Sequence, residues 1–186
     1  QGDCIPFTQV KWGIWIWILA AISGLIFHGK QCQLADYYRN IHLFFIKGKS
    51  GSELDNFVKL REELKTLSWK KDGMWMVFLY FYGNYTHSQE KMTPAFQSLR
   101  KRLWQVYGDN PVPAELAETF RKGSLPLMKY ANILTFNTRA IVLYIVLLIG
   151  QPWIYFVFEI VVMNILFLYM RYKHEKLCKT VEASLS

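Results

Sequence analysis

The sequence has few of the residues and motifs that soluble catalytic sites use. Its three cysteines stand far apart and form no C-x-x-C pair, so neither a zinc site nor a disulfide framework is indicated, and a reducing cytosolic surface is the simpler interpretation. Glycine and proline are sparse, and there is no internal repeat or low-complexity tract. A glycine-rich phosphate loop, H-E-x-x-H and G-x-S-x-G are also absent. The sequence therefore contains no signature of a P-loop enzyme, a zinc protease or a serine hydrolase.

Charged residues are almost missing from three long stretches. Residues 12–27 carry no charge, and with their flanks they approach the roughly 20 residues that cross a hydrocarbon core of about 30 Å. Residues 133–149 and 153–170 form two further apolar blocks, separated only by a Gly-Gln-Pro turn at 150–152. The alternative for this pair is a buried hairpin in a soluble core. We predict an all-α polytopic membrane protein with transmembrane helices at about 11–29, 132–149 and 152–171.

The distribution of basic residues predicts how these helices cross the membrane. Between residues 29 and 132 the chain carries 16 Lys and Arg against 10 Asp and Glu, the tail after Met170 is also basic, and the 150–152 turn has no basic residue. By the positive-inside rule, a helical segment at about 30–131 and the C-terminus lie in the cytoplasm. The chain starts with Gln and lacks a basic n-region, so we interpret it as the later part of a longer protein.

Three features divide the cytosolic segment into helices. Ser52 followed by Asp55 resembles a capping box, which predicts that an amphipathic helix starts there. Residues 74–82 are apolar but too few to cross a membrane, which favours an interfacial or a buried helix. A Pro-Val-Pro sequence at 111–113 marks a break, and Pro113 is well suited to begin a further helix.

The end of the first membrane helix carries a candidate phosphate site. If this helix continues into the cytosol, His28, Ala35, Arg39 and His42 share one polar, cationic face of it. Arginine binds phosphate through two parallel hydrogen bonds, and neighbouring His and Lys side chains add positive charge. The equally weighted alternative is that these side chains only touch bulk lipid headgroups. The predicted phosphate-binding residues of this region are Arg39, His42, Lys47 and Lys49.

A second candidate lies inside the predicted membrane hairpin. Asn132, Thr135 and Arg139 fall at steps of three and four, which places them on one helix face. Glu159 lies in the next span, where an ionisable side chain needs a partner or a polar cavity. Counted from the turn, Arg139 and Glu159 differ in depth by roughly 4–5 Å, so we predict that they pair. The pair either borders an intramembrane polar cavity in which Arg139 contacts phosphate, or it is purely structural.

Four segments of the chain resemble a known family. They are "HGKQCQLADYYRNIHLFFIKGKSGSELD", "YFYGNYTHSQE", "PLMKYANILTFNTRAIVLYI" and "YMRYKHE". Together they are similar to the downstream half of a bacterial branch of the CDP-alcohol phosphatidyltransferase family. The resemblance implies a membrane enzyme, typically with six transmembrane helices, that transfers a phosphatidyl-type group from a CDP-linked donor to an alcohol and releases CMP. The three spans predicted here match the last three of those six.

The chain departs from that family at the catalytic motif. The family signature, D-x-x-D-G-x-x-A-R continued by G-x-x-x-D-x-x-x-D, uses aspartates to hold a divalent metal and to activate the acceptor hydroxyl. This chain has only five aspartates, and they are too far apart for the pattern. No catalytic or metal-binding residue therefore carries over, and the Mg²⁺ or Mn²⁺ that the resemblance implies is expected to bind outside this chain. We expect activity of the full-length parent protein and none of this chain alone.

Two alternative functions follow from these observations. The first is a phospholipid-biosynthesis transferase of the bacterial cytoplasmic membrane, whose partners are a CDP-linked donor, an alcohol acceptor and membrane lipids. The second is a non-catalytic membrane scaffold whose cytosolic helices bind a partner. The net charge of +8 favours anionic lipid over nucleic acid, because the basic residues flank membrane segments. The oligomeric state is left open by the sequence, although the resemblance and the small Ser23-Gly24 pair, which allows close helix packing, make a homodimer reasonable.

Overall fold

The fold is described from a computed structural model, which covers residues 4–5, 9–48 and 54–185 of the chain. These residues form six helices and one isolated bridge between Cys4 and Lys11. The all-α class predicted from the sequence is confirmed. The helices are α1 (Gly13–Lys47), α2 (Phe57–Thr66), α3 (Trp69–Met92), α4 (Pro94–Tyr107), α5 (Ala114–Leu148) and α6 (Trp153–Ala183).

Three of the described helices, α1, α5 and α6, are long and apolar enough to cross a membrane. With 35 residues, α1 is about 52 Å long at 1.5 Å per residue, so it extends well beyond a hydrocarbon core of about 30 Å. Large apolar side chains such as Leu25 and Leu148 are exposed on these helices, as expected for a surface in contact with hydrocarbon. The prediction of three membrane-spanning helices is confirmed, and the chain has the construction of an integral membrane protein.

A tight turn joins α5 to α6, as the sequence predicts. The N–H of Gly150 donates to the carbonyl oxygen of Leu147 at 3.0 Å, and that of Gln151 donates to Val146 at 2.9 Å, which closes the end of α5. Gly150 has a φ of 67°, a left-handed value that glycine adopts without a steric penalty. The chain then enters α6 after Pro152, whose restricted φ suits the start of a helix. The two helices are therefore antiparallel neighbours.

The hydrophobic core lies where the long helices extend beyond their apolar spans. The second half of α1 packs against the first half of α5, and the end of α6 packs against both α5 and α4. The rings of Phe45 and Phe120 stack with centroids 3.8 Å apart, and Tyr38 stacks on His174 at the same distance. Phe120 also meets His174 edge to face, so one aromatic cluster connects α1, α5 and α6.

One helix starts later than the sequence predicts. The helix expected from Ser52 begins at Phe57, because the side chain of Asn56 accepts the N–H groups of Val58 at 2.9 Å and Lys59 at 3.3 Å and so caps the helix. Ser52 itself lies outside the described residues. Both are good N-capping residue types, and the asparagine makes the cap.

The prediction of one helix face for Asn132, Thr135 and Arg139 is wrong, because α5 is interrupted. It consists of two helices, Ala114–Ile133 and Phe136–Leu148, and Thr135 between them has an extended backbone. The side chain of Arg139 donates hydrogen bonds to carbonyl oxygens at this interruption. A break that frees backbone acceptors is thus stabilised by a donor from the following turn.

We expect Phe120→Ala to destabilise the fold by about 3–5 kcal/mol, the usual cost of removing a buried Phe ring. The ring is fully buried between Phe45 and His174, so its loss leaves a cavity. Thermal unfolding of the purified protein in detergent micelles measures the change. Leu125→Ala, at a half-exposed position of the same helix, is the control and should cost less than about 1 kcal/mol. Equal shifts for the two variants would contradict this description of the core.

Candidate functional site

The predicted contact between Arg139 and Glu159 is confirmed. The Nε of Arg139 donates to Oε1 of Glu159 at 2.6 Å, and the two side chains are only 2% and 1% exposed. The pair joins the second half of α5 to α6 inside the two predicted spans. A hydrogen bond between two charged groups so far removed from water is strong, and separating its partners leaves an uncompensated charge in an apolar environment.

The carboxylate of Glu159 gathers three polar groups around one oxygen. Besides Arg139, the hydroxyl of Tyr155 donates to Oε1 at 3.1 Å, and Nδ1 of His28 lies 3.3 Å from it. The second oxygen, Oε2, is buried and has no hydrogen-bond partner among the described residues. Tyr155 lies one turn before Glu159 on α6, whereas His28 belongs to α1. The carboxylate therefore links α6 to both of the other membrane helices.

Gln31 of α1 completes the connection between the three helices. Its side-chain oxygen accepts from Nη2 of Arg139 at 2.5 Å, and its Nε2 donates to the side chain of Asn164 at 3.1 Å and to the carbonyl oxygen of Glu159 at 3.3 Å. Both polar atoms of this buried amide are thus satisfied by groups on α5 and α6. A fully satisfied buried amide fixes the register of α1 against its neighbours.

The interruption of α5 belongs to the same arrangement. Nη1 of Arg139 donates to the carbonyl oxygen of Thr135 at 3.1 Å and also to that of Leu134. All three nitrogens of the guanidinium group are therefore engaged by protein acceptors. Four of its five N–H groups are used in this way, so at most one is left for the direct contact of Arg139 with phosphate that is expected from the sequence. The geometry favours a structural role for this arginine.

Both helices that meet at the carboxylate are wider there than a regular α-helix. α1 is π-helical over Ile22–His28 and α6 over Phe158–Val162, and these two segments pack against each other. π-Helical turns are rare in proteins and occur often at functional sites. We call the assembled group the intramembrane polar cluster. It consists of His28, Gln31, Arg139, Tyr155, Glu159 and Asn164.

Arg39 and Asn132 form a second, more exposed contact. Nη2 of Arg39 donates to the side-chain oxygen of Asn132 at 2.9 Å, and this bond is accessible to solvent. Asn132 is the first residue of the second predicted span, so the guanidinium group lies at the boundary of the apolar segments. The sequence predicts a role for each residue separately, and the structure brings the two together.

The other members of the predicted phosphate site do not gather at this contact. His42 is buried, and its Nδ1 lies 2.7 Å from the hydroxyl of Ser124 on α5. Lys47 is exposed at the end of α1, and Lys49 lies outside the described residues. Ala35 is fully buried as well. The prediction of a polar, cationic face is therefore wrong, because most of this face packs against another helix.

Sequence reasoning missed Gln31, Tyr155 and Asn164. Tyr155 and Asn164 lie within the third predicted span, so a search for every hydrogen-bonding side chain in the apolar stretches would have found them. Gln31 follows the first predicted span, where polar residues are ordinary, so no local signal distinguishes it. Its importance depends on which groups of α5 and α6 lie opposite.

The described residues do not form a metal centre. No group of three or more His, Cys, Asp or Glu side chains among them is arranged to hold an ion, so they do not fit the divalent metal implied by the resemblance, and no metal-dependent step is assigned to them. Comparison of the chain with protein-family models, curated proteins and solved structures finds no match. The fold and site define an all-α membrane protein with a charged polar cluster between its long helices.

We expect Arg139→Met to destabilise the protein by about 3–5 kcal/mol, because it leaves Glu159 as an unpaired buried charge. Adding Glu159→Met removes that charge and should restore most of the stability. Thermal unfolding in lipid nanodiscs measures the change in stability of both variants. Tyr144→Met, at an exposed position of the same helical segment, is the matched control and should be nearly neutral. If the double variant were as unstable as Arg139→Met, the ion pair would not be what couples these helices.

Proposed function

We propose that the chain is part of a membrane transferase of the CDP-alcohol phosphatidyltransferase type, in which Arg39 binds a phosphate group of a substrate at the membrane surface. The observation that carries the proposal is the exposed contact between Arg39 and Asn132 at the boundary of the predicted spans. A lipid-linked phosphate lies at this depth, where the apolar part of the membrane ends. The similarity of four sequence segments to that family supports the same assignment.

The guanidinium group of Arg39 is suited to this role. It presents several N–H donors in one plane and cannot lose its charge at physiological pH, which matches the oxygens of a phosphate group. The side-chain oxygen of Asn132 accepts from Nη2 at 2.9 Å and thereby orients the guanidinium group. A phosphate bound there is fixed in position relative to α1 and α5.

The intramembrane polar cluster supports this site by holding together the helices that carry it. Arg139 and Glu159 hold α5 against α6, and Gln31 holds α1 against both. Asn132 and Arg139 lie on either side of the same interruption in α5. The cluster therefore determines where Asn132 meets Arg39. We assign Arg139 and Glu159 the role of positioning residues.

The proposed reaction transfers a phosphatidyl-type group to an alcohol. The oxygen of the acceptor hydroxyl forms a bond to the phosphorus of the CDP-linked donor while its proton passes to a base, the bond from that phosphorus to the oxygen of CMP breaks, and CMP leaves. This chain binds and orients phosphate, and the resemblance assigns activation of the hydroxyl to aspartates that the chain does not contain. We further propose a bacterial cytoplasmic membrane with the C-terminus in the cytoplasm, which the basic residues after Met170 support.

Arg39→Ala in the protein expressed from its complete reading frame should raise the KM for the phosphate-bearing substrate by about 10–100-fold, because it removes charged hydrogen bonds worth about 1.5–3 kcal/mol. Arg39→Lys should fall in between, since it keeps the charge but loses the planar fork. The measurement is CMP release by membranes supplied with a CDP-linked lipid and a panel of alcohols. Arg102→Ala, an exposed arginine on α4, is the control and should leave the KM unchanged.

Two results would contradict the proposal. Wild-type kinetics for Arg39→Ala would refute the assignment of Arg39 as a phosphate-binding residue, even if transfer occurs. Absence of CMP release with every acceptor would remove the transferase and favour the non-catalytic scaffold.

A further inference from the structure

The helices α2 and α3 form a hairpin that is polar on one side. They pack along each other and bury Leu60 and Leu79. Nη2 of Arg61 on α2 donates to the side chain of Asn84 on α3 at 2.9 Å, and the same guanidinium lies 5.1 Å from the ring centre of Tyr80. The outer face of α2 is exposed and mostly charged. Its exposed polar residues are Lys59, Glu62, Glu63, Lys65 and Thr66.

The outer face of α3 has the opposite character. Met74, Val77, Phe78, Phe81 and Tyr85 recur at steps of three and four, so they lie on one face of the helix. All five are exposed, with Met74 at 88% and Phe81 at 67%. Burial of part of Tyr85, together with the nearby Asp36 carboxylate, raises the pKa of Tyr85 to about 12, so its hydroxyl stays neutral. We call these five residues the α3 stripe.

Contacts with α1 and α6 fix the depth of α3. Nε2 of Gln33 on α1 donates to the carbonyl oxygen of Tyr85 at 2.7 Å, and the hydroxyl of Ser88 donates back to Oε1 of Gln33 at 3.0 Å. Nε of Arg171 on α6 donates to the carbonyl oxygen of Met92 at 2.9 Å. Gln33 lies about one helical turn beyond the end of the first predicted span, and Arg171 ends the third. The C-terminal half of α3 therefore lies at the level where both helices leave the membrane.

We propose that α3 lies along the membrane surface with the α3 stripe inserted between lipid headgroups and upper acyl chains, while α2 faces water. The apolar residues 74–82 are too few to cross the bilayer but suit an interfacial helix. The apolar surface of the long helices and the α3 stripe then meet the same bilayer. This inference requires only that the long helices span a membrane, and it does not depend on transferase activity.

The charges around the hairpin indicate that lipid covers the α3 stripe. Lys70 and Lys71 are exposed at the start of α3, where they attract anionic headgroups. The outer face of α2, on the side that the proposal directs to water, carries the exposed Glu62 and Glu63 together with the exposed Lys59 and Lys65. An amphipathic unit with basic residues beside its apolar face and a polar face of mixed charge on its other side matches an anionic membrane surface.

The test compares two single-cysteine variants of the full chain, Phe81→Cys in the α3 stripe and Glu62→Cys on the outer face of α2. Both are made with Cys4, Cys32 and Cys178 replaced by alanine, labelled with an environment-sensitive fluorophore, and reconstituted into vesicles of equal parts phosphatidylethanolamine and phosphatidylglycerol. Lipids that carry a nitroxide on the upper acyl chain should quench the probe at position 81 several-fold more strongly than the probe at 62. Aqueous iodide should give the opposite order.

Two outcomes would overturn the inference. Equal iodide quenching at positions 81 and 62 would show that the α3 stripe is exposed to water. Weak quenching at position 81 by both nitroxide lipid and iodide would mean that protein covers the stripe, and cross-linking between labelled copies would identify that protein as a second chain. Met74→Cys repeats the measurement at the most exposed position of the stripe, where the substitution disturbs no packing.

Discussion

A charged pair withdrawn from water holds the three long helices together. Removing Arg139 and Glu159 from water is costly, and the cost is recovered only because each nitrogen of the arginine finds an acceptor. Three of these acceptors are not carboxylates. One is the side chain of Gln31, and the other two are backbone carbonyl oxygens at the interruption of α5. The ion pair, the amide and the interrupted helix therefore depend on one another.

A second connection between the same helices has a different physical origin. Inside a membrane, lipid is as apolar as the helix surfaces, so polar contacts and close packing must supply specificity. Beyond the apolar spans, water restores the hydrophobic effect, and the rings of Phe45, Phe120 and His174 pack into a core. The contact between Arg39 and Asn132 lies between these two connections along the chain. Its position is therefore set from both sides, which is what a binding group at a membrane surface requires.

Much of this architecture is visible in the sequence, and what is not visible has a common cause. The spans follow from the absence of charge, the turn at 150–152 from its residue types, and the pairing of Arg139 with Glu159 from their similar depth. The interruption of α5 was not predictable, because a donor in a following turn and an amide on another helix stabilise it. The burial of His42 has the same origin, since a helical pattern shows which residues share a face but not what that face meets.

The position of α1 at the centre of the assembly explains why it can present Arg39 in a fixed direction. Gln31 and Gln33 are two residues apart, so their side chains leave the helix about 200° apart and reach opposite neighbours. Gln31 bonds to groups of α5 and α6, whereas Gln33 bonds to α3. Rotation of α1 about its axis would break both sets of bonds at once. Arg39 lies just over two turns after Gln31 on the same helix, so its direction is determined by these contacts of Gln31 and Gln33.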